Sequence, residues 1–138
     1  MARGQLLLLT LIFFIVGIAI IVAVSTMGQS MSAANLDLLI NDAFSMASRA
    51  QAFYNKPRSI SGGGYSFKQI QLSDIAFGVP SDAIVFKNEN GHYSIKEKSE
   101  KSVTITAEGL SDGNGDGTKN KINLYVWSDS LHVDIVSR

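Results

Sequence analysis

The chain contains no cysteine. That absence excludes disulfide bridges, thiol nucleophiles and cysteine-bound zinc or iron–sulfur centres in one step. It leaves the redox compartment open. Proline is nearly absent too: Pro57 and Pro80 are the two in 138 residues, and none interrupts residues 5–54. Excess charge of either sign is missing, with 12 Lys+Arg against 12 Asp+Glu. Both signs are interspersed after Arg3. A balanced chain with no basic stripe offers no electrostatic basis for direct nucleic-acid binding. No Asn-x-Ser/Thr triplet occurs, so N-linked glycosylation has no standard acceptor. Histidine is scarce, with His92 and His132 each on a predicted strand beside no serine or carboxylate pattern. A histidine needs defined partners to act as base or ligand, and neither catalysis nor metal binding follows from these two. Nothing in the residue types assembles an enzyme.

One long segment lacks charge altogether. Leu6, Leu7, Leu8, Leu9, Thr10, Leu11, Ile12, Phe13, Phe14, Ile15, Val16, Gly17, Ile18, Ile20, Ile21, Val22 and Val24, with Ala19 and Ala23 between, form a 19-residue run whose one polar group is the Thr10 hydroxyl. As a helix it is long enough to cross a bilayer core. Arg3 precedes it, which predicts a cytoplasmic N-terminus and an extracytoplasmic remainder. Val24 to Gly28 offers a poor signal-peptidase site, and the run exceeds a usual signal core.

The helical signal continues beyond the run. Leu36, Ile40, Ala43, Ala47, Ala50 and Tyr54 recur at spacings of three and four, and Met46 and Phe53 widen the stripe. Asp37, Asn41, Asp42, Ser48 and Arg49 mostly fall elsewhere on the wheel. The prediction is one rod of ~75 Å over residues 5–54 at ~1.5 Å per residue. It is apolar all round in its first half and on one face in its second. Gly17 and Gly28 are its weak points. Asn55-Lys56-Pro57 ends it. Phe13, Phe14, Phe44, Phe53 and Tyr54 are expected to pack in cores.

Gly62-Gly63-Gly64 marks a loop, and residues 66–77 read as irregular with a short strand or helical turn. From Ala83 the period becomes two. Residues 83–88 and 92–97 flank Asn90-Gly91, a strong two-residue hairpin signal. Residues 102–108, 121–127 and 131–135 alternate likewise. The expected fold class is α+β: a long N-terminal helix whose amphipathic half covers a sheet of four or five antiparallel strands. The expected parts are a leader or cytoplasmic N-terminus at 1–4, a membrane or filament-core helix at 5–28, and an extracytoplasmic head at 29–138. Within the head, helix covers 29–55, loop 56–82 and sheet 83–137.

One loop has ligand spacing. Asp112, Asn114 and Asp116 stand at positions one, three and five of a D-x-N-x-D-G pattern. Thr118 would add its backbone carbonyl, and Asn120 would act directly or through water. That spacing suits calcium. Asn123 occupies the place of the bidentate glutamate, and Lys119 and Lys121 oppose a cation. A turn-rich polar loop is the competing reading. Asp74 and Asp82 read as turn or cap residues. No other cofactor is expected.

This order of parts resembles a type IV pilin or pilin-like protein. The resemblance rests on a short leader ending in Gly4, an uncharged helix running into an amphipathic one, and an antiparallel sheet. Ala50 to Pro57 followed by Gly62-Gly63-Gly64-Tyr65-Ser66-Phe67 is similar to a bacterial subgroup with an aromatic–basic–proline helix end, a glycine run and Ser-Phe. The resemblance implies cleavage by a prepilin peptidase between Gly4 and Gln5. It implies residence in the inner membrane, extraction by pilus assembly machinery, and self-association into an extracellular filament. Two positions depart from the pattern. Gln5 stands where the family has a hydrophobic first mature residue, and Leu9 where it has a glutamate that pairs with a neighbour's terminal amine. Two further readings share these features: a pseudopilin of a type II-like secretion system, and a monomeric membrane-anchored binding module.

Overall fold

A computed structural model describes residues 2–110 and 117–137. Its dominant element is α1, Ala2–Asn55, a single 54-residue helix. It passes through Gly17 without a break, because no proline or inserted side chain interrupts its hydrogen-bond ladder. A 3₁₀ turn at Arg58–Ile60 and a short helix α2, Leu72–Ile75, follow. Five strands complete the chain: β1 Val85–Lys87, β2 Gly91–Lys98, β3 Ser102–Gly109, β4 Lys121–Trp127 and β5 Leu131–Ser137. They form one antiparallel meander in chain order. The molecule is α+β, as the patterning predicts.

The core lies between the second half of α1 and the sheet. Leu36, Leu39, Ala43, Met46, Ala47, Ala50 and Phe53 supply the helix side. Val103, Ile105 and Ala107 of β3 and Ile122, Leu124 and Val126 of β4 supply the sheet side. Three alanines in the contact stripe let the helix sit close to the strands. The helix crosses β3 and β4, the two central strands facing it. On β5, Leu131 and Ile135 therefore stay 38% and 40% exposed although they pair with inward-facing Val126 and Ile122. Phe67, Ile70, Leu72 and Ile75 close the core from the connecting segment, so its reading as irregular resolves into α2 and its flanks. The Asp74 carboxylate accepts a hydrogen bond from the Gln71 N–H at 2.8 Å and caps α2.

The glycine run closes the helix end. A helix leaves its last carbonyls without intrahelical donors. Here the Gly63 N–H donates to Phe53 O at 2.8 Å, Gly64 N–H to Lys56 O at 2.9 Å, and Tyr65 N–H to Tyr54 O at 2.8 Å. A Cβ on Gly62 would strike the Lys56 backbone, and one on Gly63 the Phe53 ring.

The β1–β2 hairpin forms by a different turn from the one expected. β1 ends at Lys87 and β2 begins at Gly91, so the connecting loop is Asn88, Glu89 and Asn90. The Asn88 N–H donates to Gly91 O, and Asn88 Oδ1 accepts from the N–H groups of Asn90 and Gly91. Gly91 is already in β2 with ordinary φ. It pairs with Gly109 of β3, and both lie against Leu39. A Cβ on Gly91 would stand 2.7 Å from Leu39 Cδ2 and closer still to Glu108 O. Close packing under the helix, not turn geometry, is what requires glycine there.

Candidate polymerisation surface

The apolar run occupies the first half of α1 and packs against no other element among the described residues. Leu6 to Val24 stands free, with large side chains from Val16 at 49% to Phe14 at 73% exposure. The first buried residue of α1 is Ser32. The Thr10 hydroxyl donates to Leu7 O at 2.8 Å, so the one polar side chain of the run is satisfied by its own helix. A helix of this composition presents no unmet polar group to a nonpolar surrounding. Its 19 residues span ~28 Å, close to the ~30 Å of a bilayer core. By length and composition it can cross a membrane. Phe13 and Phe14 are 71% and 73% exposed and Phe44 39%, while Phe53 is buried and Tyr54 partly so.

Gly17 lies in the middle of this surface, and a Cβ there would meet no atom within 4 Å. It packs against no side chain among the described residues. Gly4 and Gln5 lie in the first turns of α1 and are exposed, and a Cβ on Gly4 likewise meets nothing.

The rod is fastened to the head by polar contacts that periodicity did not reveal. Asn35, Asp42 and Arg49 recur every seven residues and form one flank of α1. The Asn35 amide donates to Asn90 O at 2.8 Å. The amides of Asn88 and Asn90 and the Tyr93 hydroxyl donate to Asp42 Oδ2 at 2.8, 2.8 and 2.7 Å. Arg49 donates to Ile75 O at 3.5 Å, and its guanidinium lies 3.4 Å from the Phe77 ring centroid. Asp42 and Arg49, outside the apolar stripe, thus bind the head through polar contacts. Burial alone would raise the Asp42 pKa, but the hydrogen bonds from Asn90, Tyr93 and Asn88 outweigh it and hold the carboxyl below its ordinary value. Burial and the adjacent carboxylate push the Tyr93 phenol up. On the other flank the Gln51 amide donates to Trp127 O and Ser130 O.

Of the residues with calcium-loop spacing, Asp112, Asn114 and Asp116 lie outside the described residues. Asn120 is 1% exposed and faces the helix. Its amide donates to Ser32 O at 2.8 Å and to Asn35 Oδ1 at 3.3 Å, and its Oδ1 accepts from the Ser32 hydroxyl at 3.2 Å. The structure gives that side chain to the rod, at the point where the helix enters the head. His92 lies on β2, and His132 on β5 is exposed and stacks on Tyr125.

No family model, no curated protein and no solved structure matches the chain. The functional reading therefore rests on the geometry and on the resemblance in the sequence.

Proposed function

We propose that this chain is the structural subunit, in the role of the major pilin, of a type IV pilus-like filament. The carrying observation is a junction without a linker. A fully exposed apolar helix continues without a linker into the helix that forms one wall of the head's core. An anchor needs only apolar length, and a flexible tether would serve it. A rod fixed at Ser32, Asn35, Asp42 and Gln51 transmits the orientation of the apolar half to the head, as a regular polymer requires.

The energetics support the same reading. Each methylene moved from nonpolar surroundings to water costs ~0.8 kcal/mol, so the run is stable only in lipid or against other apolar helices. Transfer from the inner membrane into a bundle of identical helices avoids that cost. One surface repeatedly meeting a different surface gives an open helical array. Gly17 lets a neighbouring backbone approach closely. The chain before assembly is an inner-membrane protein, and its partners are the prepilin peptidase, the assembly machinery and further copies of itself. Cleavage after Gly4 would place a new terminal amine at Gln5. With Leu9 in place of a glutamate, that amine would pair with Gln5 or Thr10 of a neighbour, since an unpaired charge among apolar helices is expensive.

Mass spectrometry of filaments sheared from cells tests the processing. A chain beginning at Gln5 is the expected result, and an intact Met1 would exclude peptidase cleavage. Absence of the chain from sheared filaments, with all of it left in the membrane, would favour the anchored module.

A further inference from the structure

The end of the head farthest from the apolar run carries a cleft. It lies where the C-terminal end of α1, the β2–β3 turn and the β4–β5 turn meet. Tyr54, Lys101, Trp127, Ser128, Asp129 and Ser130 line a cavity of about 520 Å³. That size falls within the ~300–1,000 Å³ of small-molecule sites.

The cleft is held in shape from below. Gln51 ties the β4–β5 turn to α1 through Trp127 O and Ser130 O, and the Trp127 N–H donates to Ser130 O at 2.9 Å. Tyr54 is wedged between the buried Phe67 ring at 4.7 Å and the edge-on Tyr65 ring at 5.8 Å. Tyr65 is 70% exposed and has φ 64, a left-handed conformation uncommon for a tyrosine. Its N–H bond to Tyr54 O at the helix end holds it there.

The wall chemistry is aromatic with free polar tips. The Trp127 indole N–H, the Tyr54 hydroxyl, the Lys101 ammonium and the Ser128 hydroxyl make no hydrogen bond among the described residues. Trp127 is 38% exposed. From it an aromatic row runs over the outer face of the sheet: Tyr125 stacks 6.4 Å from Trp127, and His132 stacks 6.3 Å from Tyr125. Rings of this kind bind through an apolar face and a polar edge at low entropic cost. The one cation, Lys101, is balanced by one anion, Asp129, so a polyanion gains little here. A purely apolar ligand would leave the polar tips unmatched. A neutral polyhydroxylated molecule matches both: its C–H faces lie on rings, and its hydroxyls meet Lys101, Asp129 and the serines.

We propose that this distal cleft, continued by the Trp127–Tyr125–His132 row, is a binding site for a neutral oligosaccharide. Every residue of the site belongs to the head.

Trp127 is the chain's single tryptophan, which supplies its own reporter. The full-length chain, held monomeric in a phosphocholine detergent with no sugar headgroup, is titrated with cellobiose, diacetylchitobiose, maltose, lactose and mannobiose. Emission excited beyond the tyrosine band is followed. The expected result is a saturable shift in millimolar range with at least one disaccharide. Lys101→Ala and Asp129→Asn, both exposed, should each weaken it about tenfold, the loss of one charged hydrogen bond. No shift with any of the five overturns the proposal, as does a shift that both variants leave intact. A shift that instead follows protein concentration without sugar would assign the cleft to a second copy and overturn it equally.

Discussion

Asp42 is the residue on which the rod and the hairpin depend most. Its Oδ2 takes three donors, and Tyr93, one of them, is fully buried. Replacing Asp42 by Ala leaves those donors without an acceptor. The head should lose roughly 2–3 kcal/mol, read as a lower urea midpoint, since bonds to a charged group contribute ~1.5–3 kcal/mol and buried donors left unmet are penalised. The pH dependence follows from the same contacts. A carboxyl whose folded pKa lies below its unfolded value stabilises the fold above that unfolded value, near 4, and the contribution fades as pH falls through the lower folded one. A phenol whose folded pKa is raised stabilises below about 10, and that contribution is lost as pH climbs toward the folded value. Stability should therefore be flat between about pH 5 and 9 as far as this pair is concerned. In Asp42→Asn the acid slope should shrink when urea midpoints are compared from pH 5 down to pH 2; an unchanged slope would remove Asp42 from the acid response. Gly91 makes a different demand. Gly91→Ala forces a Cβ against Leu39 and the Glu108 carbonyl, and overpacking of this kind costs ~1–3 kcal/mol. Adding Leu39→Ala should recover none of the backbone clash and leave the double variant below the wild type in thermal melts, while Leu39→Ala alone creates only the cavity.

At the scale of elements, the strands and the rod were legible because their periods are simple. Ser102–Gly109, Lys121–Trp127 and Leu131–Ser137 alternate cleanly, and the helix stripe has no proline to break it. The flanks of the helix were not legible. Asn35, Asp42 and Arg49 look like surface polar residues on a wheel, since their partners come from residues 75–93 and Asn120, brought near only by the tertiary fold. The Asn90-Gly91 pair misled in the opposite direction: it carries a strong turn signal, but the Asn88 side chain builds the turn and the glycine serves the packing. The distal cleft had no sequence signal at all, because Tyr54, Lys101 and Trp127 are brought together only by the meander and the helix end. The continuity of α1 carries its own prediction. Four Gly-Ser residues inserted between Gly28 and Gln29 lie outside the core, whose first buried helix residue is Ser32, so the head should melt at the wild-type temperature. Sheared filaments should nevertheless disappear, as counted by electron microscopy. Filaments at wild-type numbers would show that the linker-free junction is dispensable.

For the whole molecule, the two halves of one helix differ in burial: the first is exposed and the second forms a wall of the core. The head has a buried apolar core, while the run Leu6–Val24 has no partner among the described residues. A single charge should separate those halves by experiment. Ile15→Asp puts a carboxylate in the middle of the run, 58% exposed in the isolated chain and surrounded by apolar groups in lipid or a bundle. It should leave the head's urea midpoint unchanged and abolish assembly. The most direct measurement is a helical reconstruction, by electron cryomicroscopy, of filaments sheared from cells that express this chain. The account predicts copies of this subunit with residues 6–24 packed side by side around the filament axis, Gly17 at a close helix contact, and the sheet outward. Filaments built from another polypeptide, with this chain left as a monomer in the membrane, would contradict it.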